Sequence, residues 1–250
     1  MSGHSKWANI KHRKEKADAE RGRIFTKVAR EITVAAREGG GDPSSNFRLR
    51  MAIEKAKSVN MPQENIQRAI KRGTGELTSE ALESVVYEGY GPGGIAIMLD
   101  ILTDNRNRTA SDIRHLFTKY GGNLGESGCV AWMFSQKGLL LVDRSVEPGS
   151  RLSEDELLLW ALEAGAEDVE VTPDSFEIVT DSAAFSAVKE ALEKKGVKFA
   201  AAEITMLPHS TVPVAEKDVS SVMKLLNALE EHDDVQNVYT NAELPSGLSS

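Results

Sequence analysis

The spacing of apolar residues changes once, near residue 77, and the change separates two kinds of structure. Before it, Ile24, Phe25, Val28, Ile32, Ala35 and Ala36 recur every three or four positions. That period predicts a helix over 17–38 with one apolar face. Gly39-Gly40-Gly41-Asp42-Pro43 ends it. A second helix is predicted behind Ser44 or Ser45 as its cap, with Phe47, Met51, Ala52, Ala56 and Val59 turned inward and Asn60 at its end. Pro62 opens a third helix, which carries Ile66, Ala69 and Ile70 and stops at Gly73. The short turn between the second and third helices predicts a small three-helix unit of helix-turn-helix character.

Beyond residue 77 the pattern alternates as strands do. Val85-Val86-Tyr87-Glu88-Gly89-Tyr90 and the run 94–102 predict two strands around a Gly-Pro-Gly-Gly turn. A helix over 107–120 follows, with Ile113, Leu116 and Phe117 inward, then a strand over 129–134. Next come a strand at 139–142, a helix at 153–164 opened by Ser153 and Glu156 in capping-box spacing, and a hairpin of 169–171 with 176–179. A helix at 183–195 and a strand at 202–206 complete the order β-α-β-β-α-β, the ferredoxin-like pattern. A helix at 216–231 and a strand at 235–239 remain. A lone α-β pair cannot bury its apolar face, so these pair with the earlier strands. The expected fold is therefore multidomain α+β: an N-terminal three-helix domain plus two ferredoxin-like α/β domains, one inserted in the other. The domains are expected at 1–76 (basic arm and helices), 77–134 plus 207–240 (discontinuous α/β) and 135–206 (inserted α/β), with a tail at 241–250.

Composition narrows the class. Of 250 residues, 40% are hydrophobic and 27% charged, as in globular rather than disordered chains. A single cysteine, Cys129, permits no internal disulfide and suits a reducing, cytoplasmic location. No apolar run approaches the ~18–20 residues of a membrane span, and the polar, basic N-terminus does not read as a secretory signal.

Charge changes the picture more. Residues 1–76 hold 17 Lys and Arg against 9 Asp and Glu, a balance of +8, whereas 77–250 hold 13 against 29, a balance of -16. Such asymmetry suggests that one end meets a polyanion, drawn to phosphates by attraction and counterion release. Residues 3–16 are too poor in apolar groups to bury themselves and read as an arm. The candidate nucleic-acid-binding residues are Lys6, Trp7, Lys11, His12, Arg13, Lys14, Lys16, Arg21, Arg23 and Lys27, with Arg68, Lys71 and Arg72 on the third helix. Lys and Arg supply phosphate contacts, and Trp7 could stack on an unpaired base. The alternative is a solvated basic tail with Trp7 packed on the helices. Asp104, Arg106 and Arg108 form a secondary polar cluster, though Asp104 or Asn105 could simply cap a helix and the arginines could pair with nearby acids. The inserted domain, with 7 basic and 15 acidic residues, suits solubility or a basic protein surface.

Catalytic motifs are weaker. Gly89-Tyr90-Gly91-Pro92-Gly93-Gly94 has the letters of a dinucleotide loop, but a strand follows where that site needs a helix. None of the five histidines lies at metal-ligand spacing, and Gly125-Glu126-Ser127-Gly128-Cys129 only loosely resembles a nucleophile elbow. Cys129 is expected in a buried strand as a small hydrophobe. No metal, cofactor or catalytic residue is expected.

Gly3-His4-Ser5-Lys6-Trp7-Ala8, Arg30-Glu31-Ile32-Thr33-Val34-Ala35-Ala36-Arg37, Asn60-Met61-Pro62, Arg72-Gly73-Thr74-Gly75, Tyr87-Glu88-Gly89-Tyr90-Gly91-Pro92-Gly93-Gly94, Thr103-Asp104-Asn105-Arg106-Asn107-Arg108-Thr109 and Gly121-Gly122-Asn123-Leu124-Gly125 stand in order along the chain. Together they resemble the YebC family, related to mitochondrial translational activators, from residue 3 to about 243. Phe47 departs from a Pro expected in many members, and Trp132 from a common Tyr. The resemblance implies a helical N-terminal domain, two α/β domains and a role in gene expression. It carries the label of transcriptional regulator, and also that of ribosome-acting translation factors at stalled, proline-rich sequences. It transfers no catalytic residue.

The resulting expectation is a non-enzymatic, cytoplasmic nucleic-acid-binding regulator, with ribosomal RNA and the ribosome as its favoured partners. The alternative is a DNA-binding transcriptional regulator whose third helix reads bases through Gln63, Asn65, Gln67 and Arg68. A weaker alternative is an enzyme with a polar cleft around Asp104, Arg106 and His115.

Overall fold

A computed structural model describes residues 21–77, 82–144, 153–172 and 174–245. The expected arm lies outside the described residues, and with it Lys6, Trp7, Lys11, His12, Arg13, Lys14 and Lys16. The chain forms two compact units, one of described residues 21–131 and 216–240, the other of 132–215 and 241–245.

In the first unit, helix α1 (Arg21–Gly39) buries Val28, Ile32, Ala35 and Ala36. Helices α2 (Phe47–Ser58) and α3 (Gln63–Gly73) bury Leu49, Ala52 and Ala56, and Ile66, Ala69 and Ile70, in the same core. The cap of α2 is Asn46, not Ser44 or Ser45. Its Oδ1 accepts from the Leu49 N–H at 3.0 Å. Its Nδ2 donates to the Ala35 and Gly40 carbonyls, both at 2.8 Å. One amide can thus satisfy the end of α1 and the start of α2, which a serine hydroxyl cannot. Ser44 turns to the Asp42 carboxylate instead. Phe47 is not core: it is 42% exposed, with the Arg50 guanidinium 5.4 Å from its ring centre. Gly73 lets α3 meet α1 closely, since a Cβ there would collide with the Thr33 carbonyl.

The same unit carries a sheet. Strands β1 (Glu83–Tyr90) and β2 (Ala96–Thr103) pair antiparallel across the glycine turn, where Gly93 and Gly94 adopt φ of 74° and 76°. Helix α4 (Arg106–Lys119) leads to the short β3 (Asn123–Leu124) on the outer edge of β1.

The second unit begins with β4 (Phe134–Asp143), a single ten-residue strand where two short ones, over 129–134 and 139–142, were expected. Residues 125–130 form a loop in which Cys129 is half-buried, and 131–133 are a 3-10 turn with Trp132 67% exposed. The reason is Glu88 on β1. Its carboxylate accepts from the N–H groups of Gly128 (2.7 Å), Val130 (2.8 Å) and Ala131 (2.7 Å), donors a sheet ladder would need.

Helix α5 (Glu154–Ala164) opens on the expected Ser153–Glu156 capping box. Strands β5 (Asp168–Val171) and β6 (Ser175–Asp181), helix α6 (Phe185–Lys194) and strand β7 (Ala201–Pro208) follow. The antiparallel order β5-β6-β4-β7 is the ferredoxin-like arrangement, with Leu139, Leu140, Leu157, Ile178, Phe185 and Val188 buried. Short strands β8 (Val212–Pro213) and β10 (Ala242–Glu243) pair in parallel. Between them in sequence, helix α7 (Glu216–Glu231) and strand β9 (Val235–Thr240) return to the first unit. There β9 joins the free edge of β2, giving the order β3-β1-β2-β9. The structure is a mixed, multidomain α+β fold.

Candidate nucleic-acid interface

The candidate cations of α1 and α3 occupy different settings. Lys27 is largely buried and donates to the Glu230 carbonyl on α7. Burial outweighs the attraction of Glu230 and Asp233 and pulls its pKa from 10.5 down to about 8. Arg30 donates to the Asp233 carbonyl at 2.9 Å and to Asp234 Oδ1 at 3.0 Å. Arg23 stands 3.8 Å from the exposed Asp233 carboxylate. The cations of α1 therefore hold the helical core to the α7–β9 corner.

Asp234 is the hub of that corner. Its side chain is 5% exposed, and its Oδ2 accepts from the Thr109 hydroxyl at 2.7 Å and from Arg108 at 3.2 Å. Burial pushes its carboxyl up, but Thr109, Arg108 and Arg30 together outweigh it and hold the group below its ordinary range.

The secondary polar cluster belongs to the same network. Asn105 caps α4 by accepting the Arg108 N–H at 3.1 Å, and Arg108 pairs with Asp104 at 2.7 Å. The Arg106 carbonyl accepts from the Tyr87 hydroxyl at 3.2 Å. His115 is exposed on α4 and shares no hydrogen bond with these residues among those described. The Cys129 thiol is pushed up by burial and by the Glu88 charge, which leaves it mostly protonated at neutral pH.

On α3 the arrangement differs. Arg68, Lys71 and Arg72 are exposed, and none forms an ion pair among the described residues. Arg68 and Arg72, one turn apart, edge a cleft of about 510 Å³ between α1 and α3. Phe25, Ala29, Met61, Ala69 and Leu82 supply its apolar lining, and Thr26, Arg30, Thr33 and Asn65 complete the wall. Of the four proposed base readers, Asn65 and Arg68 line this cleft, while Gln63 and Gln67 lie exposed on α3. Sequence reasoning missed Asp234 and Glu88. Neither disturbs an apolar period, and the only trace of Glu88 was an acid placed between two strand aromatics. No described helix is long and apolar enough to cross a membrane.

Comparison with known proteins adds identity to this geometry. Residues 5–76 match the model of the TACO1/YebC protein N-terminal domain, and residues 82–242 that of the TACO1/YebC second and third domain. A protein of Carboxydothermus hydrogenoformans, named probable transcriptional regulatory protein, is 58% identical over 244 residues, covering 98% of this chain and 99% of that one. A protein of the same name from Natranaerobius thermophilus is 56% identical over 248 residues, covering 99% and 98%. The crystal structure of a conserved hypothetical protein from Aquifex aeolicus superposes with a TM-score of 0.81 at 52% identity, covering 94% of this chain and 95% of that chain.

Proposed function

The chain belongs to the TACO1/YebC family, and we propose that it is a non-enzymatic regulator of gene expression that binds nucleic acid through its basic N-terminal region. The observation that carries this reading is the set of exposed cations on α3, Arg68, Lys71 and Arg72, which form no ion pair among the described residues, within a segment whose balance is +8. Exposed cations without internal partners are available to phosphates, and counterion release favours the contact. Ribosomal RNA is the favoured target. The remaining residues balance to -16, and a ribosome presents basic protein surfaces beside its RNA, whereas a free duplex presents only polyanion. On this reading the protein is a cytoplasmic translation factor that helps ribosomes stalled at proline-rich sequences.

A second reading, a DNA-binding transcriptional regulator, is favoured by the names of the relatives. Sedimentation of tagged protein with ribosomes over a salt series, with and without DNase, separates the two. Salt-sensitive ribosome association that survives DNase supports translation. Recovery on chromosomal fragments alone overturns it in favour of transcription.

A further inference from the structure

We infer that the cleft between α1 and α3 is a pocket for one unpaired nucleotide of an RNA strand, with the base inside and its phosphates on Arg68 and Arg72. The inference rests on the nucleic-acid reading above and gives it a specific site. Three features carry it. The first is chemistry: Phe25 and Met61 offer the apolar and aromatic surface on which a base of any identity can stack. The second is charge. Arg68 and Arg72 lie four residues apart, about 6 Å along the helix axis, and both line the cleft from the same helix. Neither is spent on an acid among the described residues, unlike Arg30 on the opposite wall. Guanidinium groups suit phosphate because their planar donors match its oxygens. The third is a free polar group. Asn65 lines the cleft with no hydrogen bond to its carboxamide among the described residues, and a carboxamide can pair with the polar edge of any base.

A volume of about 510 Å³ falls within the ~300–1,000 Å³ typical of small-ligand sites and accommodates a nucleoside. A phosphate alone would leave the apolar lining unused. An acidic peptide would satisfy the arginines but would bring only a side chain to the aromatic wall. A duplex keeps its bases stacked and cannot fill the cleft.

The test uses the full chain and a short fluorescent RNA offered as a single strand, as its duplex and as the matching single-stranded DNA. Thr26 is exposed on α1 at the cleft wall, so Thr26→Trp plugs the space without changing charge. The native chain is expected to prefer the single strand. Thr26→Trp is expected to lower single-strand affinity roughly tenfold while duplex affinity stays within about twofold. Equal effects on both forms, or none, overturn the pocket alone. Tighter binding of the DNA strand overturns RNA as its occupant. A native chain that binds none of the three overturns the nucleic-acid reading beneath it. Crosslinking of native protein to 4-thiouridine RNA makes the result independent of the variant's folding. Adducts on Phe25 or Met61 support the pocket, and adducts confined to other segments overturn it.

Discussion

Helices α1 and α3 pack on each other and look equally basic in sequence, yet they use their charges in opposite ways. Lys27 and Arg30 of α1 are turned into the unit, onto Glu230, Asp233 and Asp234. Arg68, Lys71 and Arg72 of α3 face solvent without internal partners among the described residues. A cation count cannot tell these uses apart. What separates them is whether an acid is buried within reach. The difference divides a basic domain into a face that builds the fold and a face whose cations stay exposed and unpaired among the described residues.

The largest expected effect breaks the building face. Asp234→Ala leaves Arg30 without its carboxylate partner and Arg108 with Asp104 alone. Removing one partner of a buried ion pair costs about 3 kcal/mol, which lowers the unfolding midpoint of this unit by roughly 6–12 °C. The loss should be seen by thermal melting at neutral pH. It should also follow pH in a defined direction. The folded Asp234 carboxyl sits below 3.8, so its contribution is complete above that value and fades as pH falls through the folded pKa. The gap between native and Asp234→Ala should close in acid. A constant gap would mean that Asp234 acts through packing and not through charge.

Lys27 sharpens the comparison with a smaller, opposite effect. Its folded pKa of about 8 lies below its ordinary 10.5, so at pH 7 it keeps its proton at a cost. Between pH 8 and 10.5 the unfolded chain binds more protons than the folded one, and stability rises with pH across that window. Lys27→Met removes both the cost and the rise. It is expected to match the native stability within about 1 kcal/mol at pH 7. Denaturant melts should then show the native protein gaining about 2–3 kcal/mol on the variant as pH climbs through that window.

How much of this was legible beforehand follows from which forces leave a periodic trace. The apolar stripes of α1, α2 and α3 and the longer strands of both sheets repeat at helix or strand spacing, so their existence could be read, whereas the two-residue β3 is too short to leave a period. The Ser153–Glu156 box could be read too, because both partners are local. Asn46 was overlooked as a cap because its second task, holding Ala35 and Gly40, depends on α1 folding back. Residues 129–133 looked like strand because Val130, Ala131, Trp132 and Met133 are apolar. Only the bonds to the Glu88 carboxylate, some forty residues away, take the Val130 and Ala131 N–H groups out of any ladder. At the candidate interface, the basic character of α3 was visible in the letters. The cleft beside it was not, since its walls come from α1, α3 and Leu82. Arg106 and Arg108 looked as available as Arg68, and the corner that occupies Arg108 comes from Asp234, 126 positions away.

The smallest expected change in stability tests the binding face itself. Arg68→Gln with Arg72→Gln removes two exposed charges that make no ion pair among the described residues, so the folded state should shift by no more than about 0.5 kcal/mol per site. Binding should respond much more. Each phosphate contact to a single strand contributes about 0.7 to the slope of log affinity against log salt, so losing two should flatten that slope by about 1.4. Anisotropy titrations of single-stranded RNA at several salt concentrations measure it directly. The same double change on α1, Arg23→Gln with Arg30→Gln, should do the reverse, lowering the melting midpoint through the lost Asp233 and Asp234 contacts while leaving most of the slope intact. If both doubles flattened the slope equally, the two helices would form one continuous phosphate-binding surface, and the division of labour between them would fall. If neither did, the phosphate contacts would lie elsewhere in the basic segment, and the free cations of α3 would be solvating charge.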